Sequence, residues 1–284
     1  MTTPSRQKLI RLLAVDLDGT LLNSSSEVSS ANRQALAAAV EKGVQVVIVT
    51  GRRFHSAMQF VRHVPFPVTL ISSNGARITD SCGEVHHRNF LPRQIARQIL
   101  EAARDYRPYA VAMFDIPGRG QVTMQDTAAA EGPLGWYLRT CPDSLAQVAD
   151  LEAAITADPV VVMFGGPPER IELLEPLLRN SSAAGSVHLT WTKYPARNNS
   201  ILDVMNLGCS KGAALSLWAT RCGVQAGEVM AIGDNYNDLD MLRFAGHPIV
   251  MRNCTTGLDR SWPVTLSNDE DGVAEAIQRY ILLR

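Results

Sequence analysis

Lysine is scarce in this chain. Lys8, Lys42, Lys193 and Lys211 are the only ones, and arginine supplies the rest of the positive charge. Charge of either sign is thin as well: charged residues make up 19%, the formal net charge is -1, and like charges never form a long run. A general nucleic-acid binder or an electrostatically held membrane protein needs a surface of one sign, so neither class fits. No stretch approaches the roughly 18–20 apolar residues of a membrane span. The apolar run that follows the basic residues 1–11 is too short for a signal-peptide core. Cys82, Cys141, Cys209, Cys222 and Cys254 are odd in number and no two are spaced as C-x-x-C. That disfavours a zinc site or a disulfide framework, and reduced thiols in the cytoplasm are expected.

What is present is apolar bulk. The 284 residues are 46% hydrophobic, enough for a large core in one or two domains. The chain is organised around residues 12–22, LLAVDLDGTLL. An apolar run that ends in two acids and a turn residue reads as a buried strand opening into a loop. If the strand persists through Asp18, the carboxylates of Asp16 and Asp18 share a face. Two close carboxylates repel unless a cation lies between them or one is protonated. The stretch therefore asks for a metal, a shared proton, or both.

The next elements alternate. Ser29 or Ser30 can cap a helix over 31–42, stopped by Gly43. A strand over 44–49 ends at Thr50-Gly51-Arg52, a helix follows over 54–63, and a strand over 68–71 ends at Ser72-Ser73-Asn74-Gly75. Strand–helix–strand alternation indicates a parallel sheet, and ligands collect at the carboxyl ends of its strands. The pattern breaks after residue 76, with a hairpin over 77–90 and short neighbouring strands near 109–114 and 121–124. Helices are expected over 93–105, 145–156 and 169–178, and strands over 160–164, 187–191 and 201–204. This reads as a second α+β module inserted into the first. The parallel pattern resumes with a helix over 211–221, a strand over 229–232 ending in Gly233-Asp234-Asn235-Tyr236-Asn237-Asp238, and further elements to 283.

Polar residues thus gather at the ends of core elements: Asp16 and Asp18, Thr50, Lys211, and Asp234 with Asn237 and Asp238. Oxygen-rich sites with few protein ligands suit Mg²⁺. An aspartate can attack phosphorus, a neighbouring acid can move the proton, and a hydroxyl and an ammonium can hold the remaining oxygens. A loop calcium site is the competing reading of 16–27. Glu27 does fall at the twelfth position, but Leu21 stands where the tight-turn glycine belongs, and a strand precedes the loop instead of a helix. Lys211 opposes the dipole of the helix it begins, a poor structural choice that favours a functional one.

The ordered motifs DLDGTLL, TGR, SNGA, SKG and GDNYNDLDML resemble the haloacid dehalogenase-like phosphatase superfamily, and the last of them, with the insertion after SNGA, resembles its Cof-type branch. The resemblance implies an α/β fold: a Rossmann-like doubly wound parallel sheet core, residues 1–84 and 200–284, with an inserted α+β cap domain, residues 85–199. It implies Asp16 as nucleophile and Mg²⁺ ligand, and Asp18 as general acid/base that lends a backbone carbonyl to the metal. Thr50 would bind phosphate with the backbone of Gly51 and Leu17. Lys211 would bind phosphate and offset Asp16. Asp234 would ligate the metal, with Asn235 close by and Asp238 in its outer shell, and Asn237 would contact phosphate. The implied function is a cytoplasmic Mg²⁺-dependent phosphatase acting on a small-molecule phosphomonoester, sugar phosphates first, through an aspartyl-phosphate. A sugar phosphomutase and a non-catalytic phosphate-ligand-binding protein are the alternatives. Outside these motifs, Arg52 and Asn74 are candidates to face the site, and Lys193, Tyr194, Arg197, Asn198 and Asn199 form a polar cluster near the end of the insertion.

Overall fold

The computed structural model describes residues 9–62, 64–125, 134–258 and 261–283. The chain divides into two compact units, Met1–His87 with Lys211–Arg284, and Arg88–Ser210.

The strands in chain order are β1 (Leu12–Val15), β2 (Gln45–Val49), β3 (Val68–Ser72), β4 (Arg77–Asp80), β5 (Val85–Arg88), β6 (Ala110–Met113), β7 (Val122–Met124), β8 (Leu145–Gln147), β9 (Val161–Gly166), β10 (Val187–Tyr194), β11 (Asn199–Asn206), β12 (Val229–Gly233) and β13 (His247–Val250). The first unit is built on a sheet of order β13-β12-β1-β2-β3-β4-β5. Its pairings from β13 through β3 are parallel, and β4 returns antiparallel to β3.

The parallel strands are dominated by apolar residues, with β1 (LLAV) and β12 (VMAIG) lacking any polar side chain, because both faces are covered. Alternate residues pack in opposite directions. Leu13, Val15, Val46, Ile48, Met230 and Ile232 meet Leu36 and Ala39 of helix Ser30–Glu41 and Val273, Ala276 and Ile277 of helix Gly272–Ile277. Leu12, Ala14, Val47, Val49 and Ala231 meet Ala214, Leu215 and Ala219 of helix Lys211–Arg221 and Met241 and Leu242 of helix Leu239–Phe244. Each fully buried leucine or isoleucine contributes about 1.5–3 kcal/mol, so these layers hold the sheet rigid beneath the loops at its carboxyl edge. Ser29 caps the first of the helices, accepting from the Asn32 N–H at 3.0 Å. The doubly wound core expected from the alternation is therefore present.

The second unit carries a sheet of order β10-β11-β9-β6-β7-β8, antiparallel except for β7 with β8. Helices Arg93–Ala102 and Pro168–Arg179 pack Ile99, Leu100, Ile171, Leu174 and Leu178 against Phe164, Leu202 and Val204 of this sheet. Two expectations need correction. The return to the first unit falls at Lys211, not at residue 200, because Asn199–Asn206 is a full strand paired on both sides by β10 and β9. The helix expected over 145–156 is instead β8 followed by a short helix, Leu151–Ala154. Pairing of Leu145–Gln147 with β7 overrides the local helical preference, and Asp150 starts the helix late by accepting from the Glu152 and Ala153 N–H groups. Residues 126–133, where the sequence shows no clear periodicity, lie outside the described residues. Among the described residues, no helix is long and apolar enough to cross a membrane.

Candidate active site

Four strands of the first sheet end side by side, and each hands over to a polar loop. Asp16 follows β1, Thr50 follows β2, Ser73 and Asn74 follow β3, and Asp234 follows β12. Register keeps these exits level: Val15 pairs with Ile48 and Ile232, and Ile48 with Leu70.

The carboxylates of Asp16, Asp234 and Asp238 come within 4.8 Å of one another, and all three residues are buried. Lys211 enters from the start of its helix. Its ammonium donates to Asp16 Oδ1 and to Asp238 Oδ1, both at 2.6 Å. The other oxygen of Asp238 accepts from the backbone N–H groups of Asp234 and Asn235, each at 3.0 Å. Asp238 is thus committed to holding Lys211 and the turn before it. Thr20 donates to Asp234 Oδ1 at 3.1 Å.

Three carboxylates against one ammonium leave two negative charges uncompensated in a buried place. The titration of the groups follows. Burial raises the Asp16 carboxyl to about 8; Lys211 works against this, while Asp238 and Asp18 add to it. Asp234 is likewise raised well above the usual carboxylate range by burial, then by repulsion from Asp16 and Asp238. Burial works to lower Lys211, but its two ion pairs outweigh that and hold it above the ordinary lysine value. A divalent cation beside Asp16 and Asp234 would oppose that rise and favour their ionised forms. The donor set is all oxygen, and its two excess charges equal those of one such cation, which suits Mg²⁺.

Asp18 does not join this group. The strand stops at Val15, so the expectation that Asp16 and Asp18 lie side by side on one face does not hold. The turn closes instead through Leu21 N–H to Asp16 C=O at 3.2 Å and Leu22 N–H to Leu17 C=O at 2.9 Å. Gly19 sits in it at φ +80°, where a Cβ would run into the Asp234 carboxylate, so only glycine fits. The Asp18 carboxylate is half-exposed and paired with Arg52, whose Nε and Nη2 donate at 2.7 and 2.5 Å.

The remaining candidates lie around the Thr50 loop. Thr50 is buried, and its hydroxyl accepts from the Arg52 N–H at 3.0 Å. Asn74 N–H donates to the Thr50 carbonyl at 3.0 Å, and Asn74 Oδ1 accepts from Asn237 Nδ2 at 3.0 Å. Both asparagines stand over Gly51, at distances of 3.1 to 3.5 Å from the place where a Cβ would be. Asn74 adopts φ +51° beside Ser73 at φ +49°, a left-handed turn that asparagine tolerates better than most residues. The Leu17 side chain belongs to the core, so its backbone alone can serve the site. Asn235 caps the turn before Asp238, accepting from the Tyr236 N–H at 2.8 Å.

Sequence reasoning missed several residues of this architecture. Asn253 donates to the Gly19 carbonyl at 2.8 Å, and Thr255 N–H to the Asp234 carbonyl at 2.9 Å, tying the loop after β13 to both acidic turns. An isolated asparagine carries no local signal of such a tie. In the second unit, Tyr194 and Asn199 face each other across the β10–β11 hairpin, Asn198 makes its left-handed turn, and Arg197 lies 4.8 Å over the Trp136 ring. Lys193 pairs with Glu172 at 3.7 Å.

A profile described as haloacid dehalogenase-like hydrolase matches residues 13–277, and the chain belongs to that family. Among its relatives is the HMP-PP phosphatase of Serratia proteamaculans, 30% identical, with 96% of each chain covered. The 5-amino-6-(5-phospho-D-ribitylamino)uracil phosphatase YcsE of Bacillus subtilis is also 30% identical, again with 96% of each covered. A crystallised phosphatase of the superfamily from Bacteroides thetaiotaomicron superposes with a TM-score of 0.79 at 28% identity, covering 99% of this chain and 98% of its own.

Proposed function

We propose that this protein is a phosphatase that hydrolyses a small-molecule phosphomonoester with Mg²⁺ through an aspartyl-phosphate on Asp16. The observation that carries the reading is the buried set of Asp16, Asp234 and Asp238 around the Lys211 ammonium, at the carboxyl edge of a parallel sheet. The family membership and the two phosphatase relatives support the reaction class.

Asp16 and Asp234, with the Asp18 backbone carbonyl, would hold the cation; Asn235 and Asp238 support them from behind. Bound there, Mg²⁺ would neutralise phosphate charge beside the carboxylates. Asp16 attacks phosphorus, forming a P–O bond to its carboxylate while the bond to the leaving oxygen breaks. Asp18 gives that oxygen a proton. Asp18 then takes a proton from the water that attacks the aspartyl-phosphate, which frees Asp16 and releases inorganic phosphate. Lys211 works against the rise that burial imposes on the Asp16 carboxyl and would offset charge on the phosphoryl oxygens. Thr50, the N–H groups of Leu17 and Gly51, and the Asn237 amide bind those oxygens.

Sugar and polyol phosphates are the first substrate class. One relative's named substrate carries its phosphate on a ribityl chain, a reduced sugar. The five free cysteines fit a reducing cytoplasmic setting. The test is 4-nitrophenyl phosphate with Mg²⁺, followed by a panel of metabolite phosphates read as inorganic phosphate. Asp16→Asn is expected to abolish turnover, and full activity in that variant would sink the nucleophile assignment. Isomerised sugar phosphate without released phosphate would point to a mutase.

A further inference from the structure

Arg52 is held at both ends. Its N–H donates to the Thr50 hydroxyl at 3.0 Å, and its C=O accepts from the Ser73 N–H at 2.8 Å. Its guanidinium lies 4.6 Å over the Phe60 ring, and Phe60 packs against the core. From that seat the fork grips both oxygens of Asp18. A pair this exposed adds little to stability, since solvent screens it. An arginine so thoroughly fixed does more for geometry than for stability.

We propose that Arg52 is a positioning residue that fixes the Asp18 carboxylate in one orientation, clear of the three buried carboxylates, where it can serve proton transfer. This rests on the phosphatase reading above. Without the fork, Asp18 is a fourth acid near Asp16, free to swing toward whatever cation sits there. The planar fork and its stacking on an aromatic ring are properties of arginine that lysine lacks.

The discriminating variable is the leaving group. 4-Nitrophenolate leaves without help, whereas the alkoxide of glycerol phosphate needs a proton. Arg52→Ala is expected to lower kcat/KM for glycerol phosphate by about 10- to 100-fold, within the range of general-acid contributions. Its kcat/KM for 4-nitrophenyl phosphate should fall less than about threefold, whereas kcat can fall on both substrates, because water attack on the shared aspartyl-phosphate also uses Asp18. Arg52→Lys keeps the charge but not the fork and is expected to recover only a small part of the loss. In an Asp18→Asn background, Arg52→Ala should add no further loss. A crystal structure of metal-free Arg52→Ala should show Asp18 out of its present orientation.

Equal losses of kcat/KM on both substrates, or a KM rise with kcat intact, would overturn the proposal while leaving the phosphatase reading standing. So would an unmoved Asp18, or full recovery with Arg52→Lys. A wild-type protein that releases phosphate from neither compound overturns the phosphatase reading, and this proposal with it.

Discussion

Lys211 and Asp238 are 27 residues apart and form an ion pair whose two side chains are wholly buried, Nζ to Oδ1 at 2.6 Å. The same ammonium reaches Asp16, which comes from the opposite end of the chain. One cation therefore ties the turn after β12 to the turn after β1. Gly212 lets it approach: a Cβ there would press on the Asp240 backbone at 2.5 Å, so the two helices could not come together around it.

Removing that cation should be costly. Lys211→Ala leaves Asp16 and Asp238 buried without their counter-charge, a loss of about 3–5 kcal/mol. Urea unfolding should show it as a lower midpoint with an unchanged slope. An unaltered midpoint would mean that the pair is not closed in solution.

The metal-free protein should lose stability as pH rises. The Asp16 carboxyl in the folded state is raised to about 8, far above its value in an unfolded chain. The folded state then binds more protons than the unfolded state between roughly pH 4 and pH 8, so its advantage is full below that window and fades through it. Asp234 is raised too and acts in the same direction. The melting temperature without added metal is expected to fall by several degrees from pH 5 to pH 8. Millimolar Mg²⁺ should restore it, because a bound cation replaces the protons. A melting temperature that rises steadily over this range would contradict the titration.

Asn74 should matter through Asn237. Asn74→Ala removes the acceptor that holds the Asn237 amide and places alanine at φ +51°. A lost hydrogen bond of about 1 kcal/mol corresponds to roughly a fivefold change, expected as a higher Ki for inorganic phosphate. Asn74→Gly relieves the backbone but not the lost amide, so it should recover stability without recovering phosphate affinity. If both variants bind phosphate normally, Asn74 is no more than a turn residue.

Gly19→Ala combines two penalties, the left-handed backbone and the collision with the Asp234 carboxylate. The backbone alone costs about 1–2 kcal/mol. The displaced Asp234 should also raise the Mg²⁺ concentration needed for half-maximal stabilisation by tenfold or more, read by titration calorimetry. Wild-type Mg²⁺ affinity in this variant would show that Asp234 has room to move aside.

The core of the fold was legible because its signals are local. Apolar runs such as 44–49 can be buried on both faces only in a covered parallel sheet, and polar residues placed directly after those runs mark the edge where loops gather. The segment 145–156 was not legible, because Leu145–Gln147 is a strand only by virtue of its pairing with β7. The end of the insertion was obscured for the same reason: a boundary at residue 199 cuts at the start of Asn199–Asn206, whose place in the second sheet is fixed by its partners β9 and β10.

Sequence alone determined which chemical groups stand at the ends of which strands, since strand length and turn residues are properties of neighbouring amino acids. It did not determine where Asp18 points. Spacing of two residues suggested a carboxylate beside Asp16. Tertiary structure took that carboxylate away through an arginine 34 positions later in the chain, and closed the place beside Asp16 with Lys211, Asp234 and Asp238. Charge pairing across such distances depends on where the folded backbone delivers each group, and no local pattern encodes it.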